Sequence, residues 1–167
     1  MASLEDQTHG LPANPLDTLE DLVSANEWRF NRCSDSELMI EVLGRWCGYQ
    51  MYVVWDEQLR AMFLSCQLDL RVPETKRTAV YELLASVNEN IWLGHFDFLF
   101  EGSVTMYRSA VPMRGTPGLS AEQLEDMVDA AMDECERFFP ALQMVVWGGQ
   151  SVAEAITVAR METVGEA

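Results

Sequence analysis

Two histidines, four cysteines and a run of carboxylates are the residues of this 167-residue chain whose types could do chemistry. Histidine is the side chain that titrates near neutrality, so it is the first candidate for acid–base work. His95 stands at the start of a strand-like run beside Asp97, while His9 lies near the terminus. A single Asp/His pair needs a nucleophile, and no Gly-x-Ser-x-Gly elbow accompanies it. His95 therefore reads as a surface or turn histidine rather than a catalytic one. The cysteines, Cys33, Cys47, Cys66 and Cys135, form no C-x-x-C pair, which argues against a zinc knuckle or a redox dithiol. Trp46-Cys47-Gly48 has half the look of a dithiol motif, but Gln50 holds the place of the second cysteine. Buried free thiols are the expectation, and reduced thiols suit a cytoplasm.

Glu122, Asp126, Asp129, Asp133 and Glu136 recur at spacings of four and three, which aligns them along one face of a helix. Calcium and magnesium need oxygens that converge from several elements, and a ridge on one helix diverges. No histidine joins it to make a di-iron pattern. A solvated helix face is the expected reading, with no metal. Gly115 and Gly118 lack the rest of a phosphate-cradling loop, including its lysine. No catalytic residue and no cofactor are therefore assigned. Ten methionines are many for this length. Met39, Met51, Met62 and Met106 fall on four different strand-like runs, and methionine-rich apolar surfaces adapt to varied peptides. They are the candidate partner-binding surface, set against ordinary core filling.

The elements that must position these residues follow from periodicity. Asn14 as N-cap, Pro15 at the first helical position and the stripe Leu16, Leu19, Leu22 and Val23 give a first helix ending near Asn26. Residues 37–43, 49–55 and 59–70 then read as strands, by alternation or by their content of β-formers. Trp28 to Cys33 adds a short edge strand or a lead-in. The links are short, which requires antiparallel pairing. Pro73 opens a second helix running to about Trp92. Its main stripe is Val80, Leu83, Leu84, Val87 and Ile91, while Tyr81, Ala85 and Trp92 lie about 120° away. A helix apolar on two sides points to a partner, and Tyr81, Ala85 and Trp92 become the candidate dimer interface. Phe96 to Val111 forms a second hairpin around Gly102-Ser103. The capping box Ser120-x-x-Gln123 starts a third helix that Pro140 should kink or split. Gly148-Gly149 ends it, and Ser151-x-x-Glu154 caps a last one. The fold class is α+β, an antiparallel sheet with packed helices in the order αβββαββα. The domain spans residues 14–147, between a disordered tail at 1–13 and a helical extension at 148–167.

Charge limits the partners. Twenty-seven acidic residues against eleven basic ones give a net charge of −16. That opposes nucleic acid and anionic membrane and favours basic or apolar partners. The first 27 residues carry −6, residues 28–118 only −2, and residues 119–167 carry −8. No basic, apolar leader is present, and no run approaches the ~18 apolar residues of a membrane span.

Three stretches resemble the YbjN family of bacterial sensory transduction regulators. They are Asn14-Pro15-Leu16 through Trp28, then Val87-Asn88-Glu89-Asn90 with Gly94-His95-Phe96-Asp97, and Tyr107 to Pro112 through Leu119-Ser120. The resemblance covers about residues 14–147. It implies a fold like the small dimeric chaperones of type III secretion, which hold an extended segment of a partner and commonly dimerise through the helix between their strand groups. It brings no catalytic residue. The resulting expectation is a cytoplasmic, non-enzymatic homodimer that binds a protein or peptide. The alternatives are a dedicated secretion chaperone for one effector, and an enzyme or metal protein.

Overall fold

The computed structural model describes residues 14–161. The expected tail at 1–13 and the last residues of the extension lie outside that range. Six strands form one antiparallel sheet in the order β1-β2-β3-β4-β6-β5. Helix α1 (Pro15–Ala25) precedes β1 (Arg29–Ser34), β2 (Glu37–Leu43), β3 (Gly48–Asp56) and β4 (Ala61–Gln67). A 3-10 turn leads into α2 (Arg77–Asn88), followed by β5 (His95–Leu99), β6 (Val104–Pro112), α3 (Ala121–Val146) and α4 (Val152–Met161). This is an α+β fold with the helices on one side of the sheet.

The alternation of the sequence becomes the two faces of the sheet. Leu38, Ile40 and Val42 of β2, Met51 and Val53 of β3, and Leu64 and Cys66 of β4 point into a single core. Leu16 and Leu19 of α1, Val80 and Leu83 of α2, and Val128, Phe138 and Leu142 of α3 close it from the helical side. Phe96 stacks on Phe138 at 4.3 Å between centroids, joining β5 to α3.

Local rules account for most boundaries. The Asn14 side chain accepts the Leu16 N–H at 3.0 Å, and Pro15 follows as the first helical residue. Ser120 and Gln123 exchange the two bonds of a capping box. Ser151 and Glu154 do the same in front of α4.

Several boundaries differ from expectation. Residues 29–34 form a full strand, so four strands precede α2 rather than three. Arg32 of β1 donates to Asp17 and Glu20 of α1 at 3.1 Å each and to the Ser34 carbonyl at 2.7 Å, which fastens the edge strand to the helix. Helix α3 runs unbroken through Pro140. Helix α2 stops at Asn88, four residues short of Trp92. There the Asn88 side chain leaves the helix pattern and bonds both ways to Phe96, accepting its N–H at 2.8 Å and donating to its carbonyl at 2.9 Å.

Candidate functional site

The early end of α2 frees Ile91 to Gly94 to form a turn in front of β5. Gly94 takes a positive φ of 77°, and a β-carbon there would collide with the Tyr107 ring. The Tyr107 hydroxyl donates to the Leu93 carbonyl at 2.7 Å. Burial pushes that phenol up to about 12, the Ser109 hydroxyl nearby offsetting part of the effect. Asn88, Gly94 and Tyr107 thus hold Trp92 and Leu93 out from the body, 95% and 65% exposed.

Beneath these two side chains lies a groove of about 370 Å³ between β6 and α3. Its floor includes Tyr107, Ser109 and Val111 of β6. Its far wall includes Leu119, Met127 and Ala130, with Gln123 and Asp126 at the polar margin. Ser109 and Val111 point to the helical side of the sheet, opposite Leu64 and Met62. They stay only half-buried because α3 does not cover this end of β6. The Ser109 hydroxyl is buried beside Tyr107. The groove therefore offers an apolar trough with the acidic face of α3 along its edge. Glu122, Asp126 and Asp129 of that face are exposed.

The candidate interface residues separate. Tyr81 and Ala85 lie on the outer side of α2, and Tyr81 packs edge-on against Phe98 at 5.2 Å and near Phe100 at 6.3 Å. Trp92 is off the helix, at the groove. On the main stripe predicted for α2, Val87 and Ile91 face Ile156 of α4 across a cavity of about 270 Å³. The candidate methionine surface also divides. Met51 and Met62 are buried at 0% and 1% and belong to the core, which corrects their assignment to a binding surface. Met39 and Met106 sit half-buried on the opposite, uncovered face. Met127, which lines the groove, was not singled out by spacing.

The remaining chemical candidates have structural roles. Asp97 pairs with Arg108 at 3.1 Å, and His95 stands exposed beside them. Glu136 departs from the solvated ridge: its carboxylate accepts the Arg45 N–H at 3.0 Å and clasps the β2–β3 loop. Among the described residues no group of three or more His, Cys, Asp or Glu is placed to hold a metal ion. Cys66 and Cys135 are buried and Cys47 half-buried, while Cys33 is exposed, contrary to the expectation of buried thiols throughout. The adjacent Cys66 thiol together with burial pushes the Cys135 thiol up, and burial raises Cys47. Raised thiols are poor nucleophiles. No helix among the described residues is long and apolar enough to cross a membrane.

Comparison with known proteins places these features in a family. The model of the YbjN family, "Putative bacterial sensory transduction regulator", matches residues 15–144. The match ends before α4. The crystal structure of YbjN from E. coli, "a putative transcription regulator", superposes with a TM-score of 0.53 at 14% identity, covering 72% of this chain and 85% of that one. At that identity the likeness is one of fold. No curated protein matches the chain.

Proposed function

From the premise that this chain belongs to the YbjN family, we propose that it is a non-enzymatic bacterial regulator that acts in the cytoplasm as a homodimer by binding a protein or peptide partner. The observation that carries the reading is the groove under Trp92 and Leu93. Two of the stretches that carry the family resemblance converge on it. Asn88 and Gly94 set its rim, and Tyr107, Ser109, Val111 and Leu119 line it. Those residues build an apolar trough rather than a catalytic centre.

The chemistry of the walls selects the partner. An extended segment places alternate side chains on one side. Its apolar residues would enter the trough, and Met127 can adapt to their shapes. Its basic residues would lie along Glu122, Asp126 and Asp129, which speeds encounter and sets specificity. Nucleic acid and anionic lipid are disfavoured by the net charge of −16.

Fluorescence anisotropy with a labelled peptide alternating Leu and Lys tests this, with the Leu and Glu peptide as its counterpart. The basic peptide should bind, and the acidic one should bind at least ~10-fold more weakly. Trp92→Ala and Ala130→Arg, the second of which fills the groove, should each weaken binding by a similar factor. Equal affinity for both peptides, or indifference to both substitutions, would count against the groove.

A further inference from the structure

Among the described residues, the helices cover one face of the sheet and leave the other bare. The strand register arranges the bare face in rows. The middle row runs Asn31, Met39, Tyr52, Ser65, Arg108 and His95 from β1 across to β5. To one side lies Glu37, Val54, Phe63 and Ala110. To the other lies Arg29, Glu41, Gln50, Gln67, Met106 and Asp97. Tyr52 is 45% and Val54 36% exposed at its centre.

We propose that this bare face is the homodimer interface, two copies stacking sheet on sheet about a two-fold axis along the β3–β4 seam; the inference rests on the homodimer reading above. Such an axis carries β3 of one copy over β4 of the other, β2 over β6 and β1 over β5, and keeps every row in line. The pattern is self-complementary under that operation. Tyr52 meets the second copy's Ser65, a large ring over a small side chain. Val54 meets Phe63, and Gln50 meets Gln67 with amides able to pair. Arg29 lies over Asp97, and Glu37 and Glu41 lie on either side of Arg108.

The charge pattern also chooses between axes. A two-fold running across the strands would set Tyr52 on Tyr52, Arg108 on Arg108 and Glu37 against Glu41. Like charges opposed at an interface cost several kcal/mol. Sheets stack ~10 Å apart with their strands aligned to within about 30°, so the rows stay in register near the seam. Six strands at ~4.8 Å spacing and about seven residues at ~3.3 Å give a face on the order of 600 Å² before side-chain relief, near the ~800 Å² per partner of a standard interface. A chain of net charge −16 must also meet its copy on a balanced surface. Here Arg29 and Arg108 stand against Glu37, Glu41 and Asp97. The acidic face of α3 points elsewhere.

Sedimentation equilibrium of the full chain is the test. The wild type should sediment at twice the 18.9 kDa chain mass. Glu41→Arg and Arg108→Glu should each weaken the dimer at least ~10-fold, and the double substitution should bring it back to within ~3-fold of wild type. Ser65→Arg, which fills the place of the second copy's Tyr52, should give a monomer whose thermal unfolding matches that of the wild type at concentrations too low for dimer formation. A monomeric wild type overturns this interface and the homodimer reading together. A dimer indifferent to the three open-face substitutions overturns the interface alone, and dissociation by Tyr81→Asp would then return it to α2.

Discussion

The two faces of the same six strands have opposite duties. On the helical face, Leu38, Ile40, Met51, Val53 and Leu64 are buried to within 2% under α1 and α3. On the bare face, the residues between them in sequence, Met39, Glu41, Tyr52, Val54 and Phe63, keep contact with solvent. One register serves both faces. A core residue contributes through burial, while its neighbour on the strand adds little to folding and remains free for contact with another surface. At the groove, the helical face at the end of β6 escapes its cover. There, residues that alternation marks as core, Ser109 and Val111, become half-exposed.

The largest difference between the faces should be in stability. Phe138→Ala removes the ring stacked on Phe96 and should cost about 3–5 kcal/mol in urea unfolding. Tyr52→Ala on the bare face should stay within ~0.5 kcal/mol when measured at concentrations too low for copies to associate. Comparable costs would erase the distinction. Gly94→Ala comes next. It forces a residue at φ 77° and drives a methyl group into Tyr107, so about 1–3 kcal/mol should be lost along with peptide binding. A variant that keeps its stability but loses binding would sharpen the role of the rim.

Asn88→Ala removes both bonds to the Phe96 backbone and should cost about 1–2 kcal/mol. Hydrogen exchange at Trp92 and Leu93 should quicken with it. The smallest effect is one of pH. Tyr107 is pushed up to about 12 in the fold, above its ordinary value near 10. Between those values the unfolded chain has lost a proton that the native chain keeps, so stability should be full below about pH 10 and fall as pH rises towards 12. Tyr107→Phe should make that decline shallower in alkaline urea melts, the rest coming from the Tyr49 phenol, which burial also pushes up.

The sheet and its helix starts were legible in sequence, because their causes are local. Alternation fixes which strand residues share a face, and Asn14, Ser120 and Ser151 cap their helices with side chains a few positions away. The same parity could have divided the methionines: Met39 is out of phase with Leu38 and Ile40, whereas Met62 is in phase with Leu64. The end of α2 was not legible. It depends on Asn88 finding Phe96 across a turn, a tertiary bond that overrides the continuing apolar spacing to Ile91. The last turn of the main stripe of α2 faces α4, and Tyr81 on its second side packs against Phe98, neither of which spacing alone could place. The groove was equally hidden, since Trp92, Val111, Leu119 and Met127 come from four separate elements. Glu136 belongs by spacing to a solvated ridge, and only the fold brings the β2–β3 loop to its carboxylate.

The proposed function and the proposed interface together require that a partner occupy the groove and leave the bare sheet face free for a second copy. Two-dimensional NMR of the full chain, titrated with the basic Leu and Lys peptide, tests it in a single measurement. The account requires that the Trp92 indole N–H and the amides of Gly94, Val111 and Met127 shift while those of Met39, Tyr52 and Ser65 stay in place. Shifts centred on Tyr52 and Ser65, with the Trp92 and Gly94 signals unmoved, would contradict it.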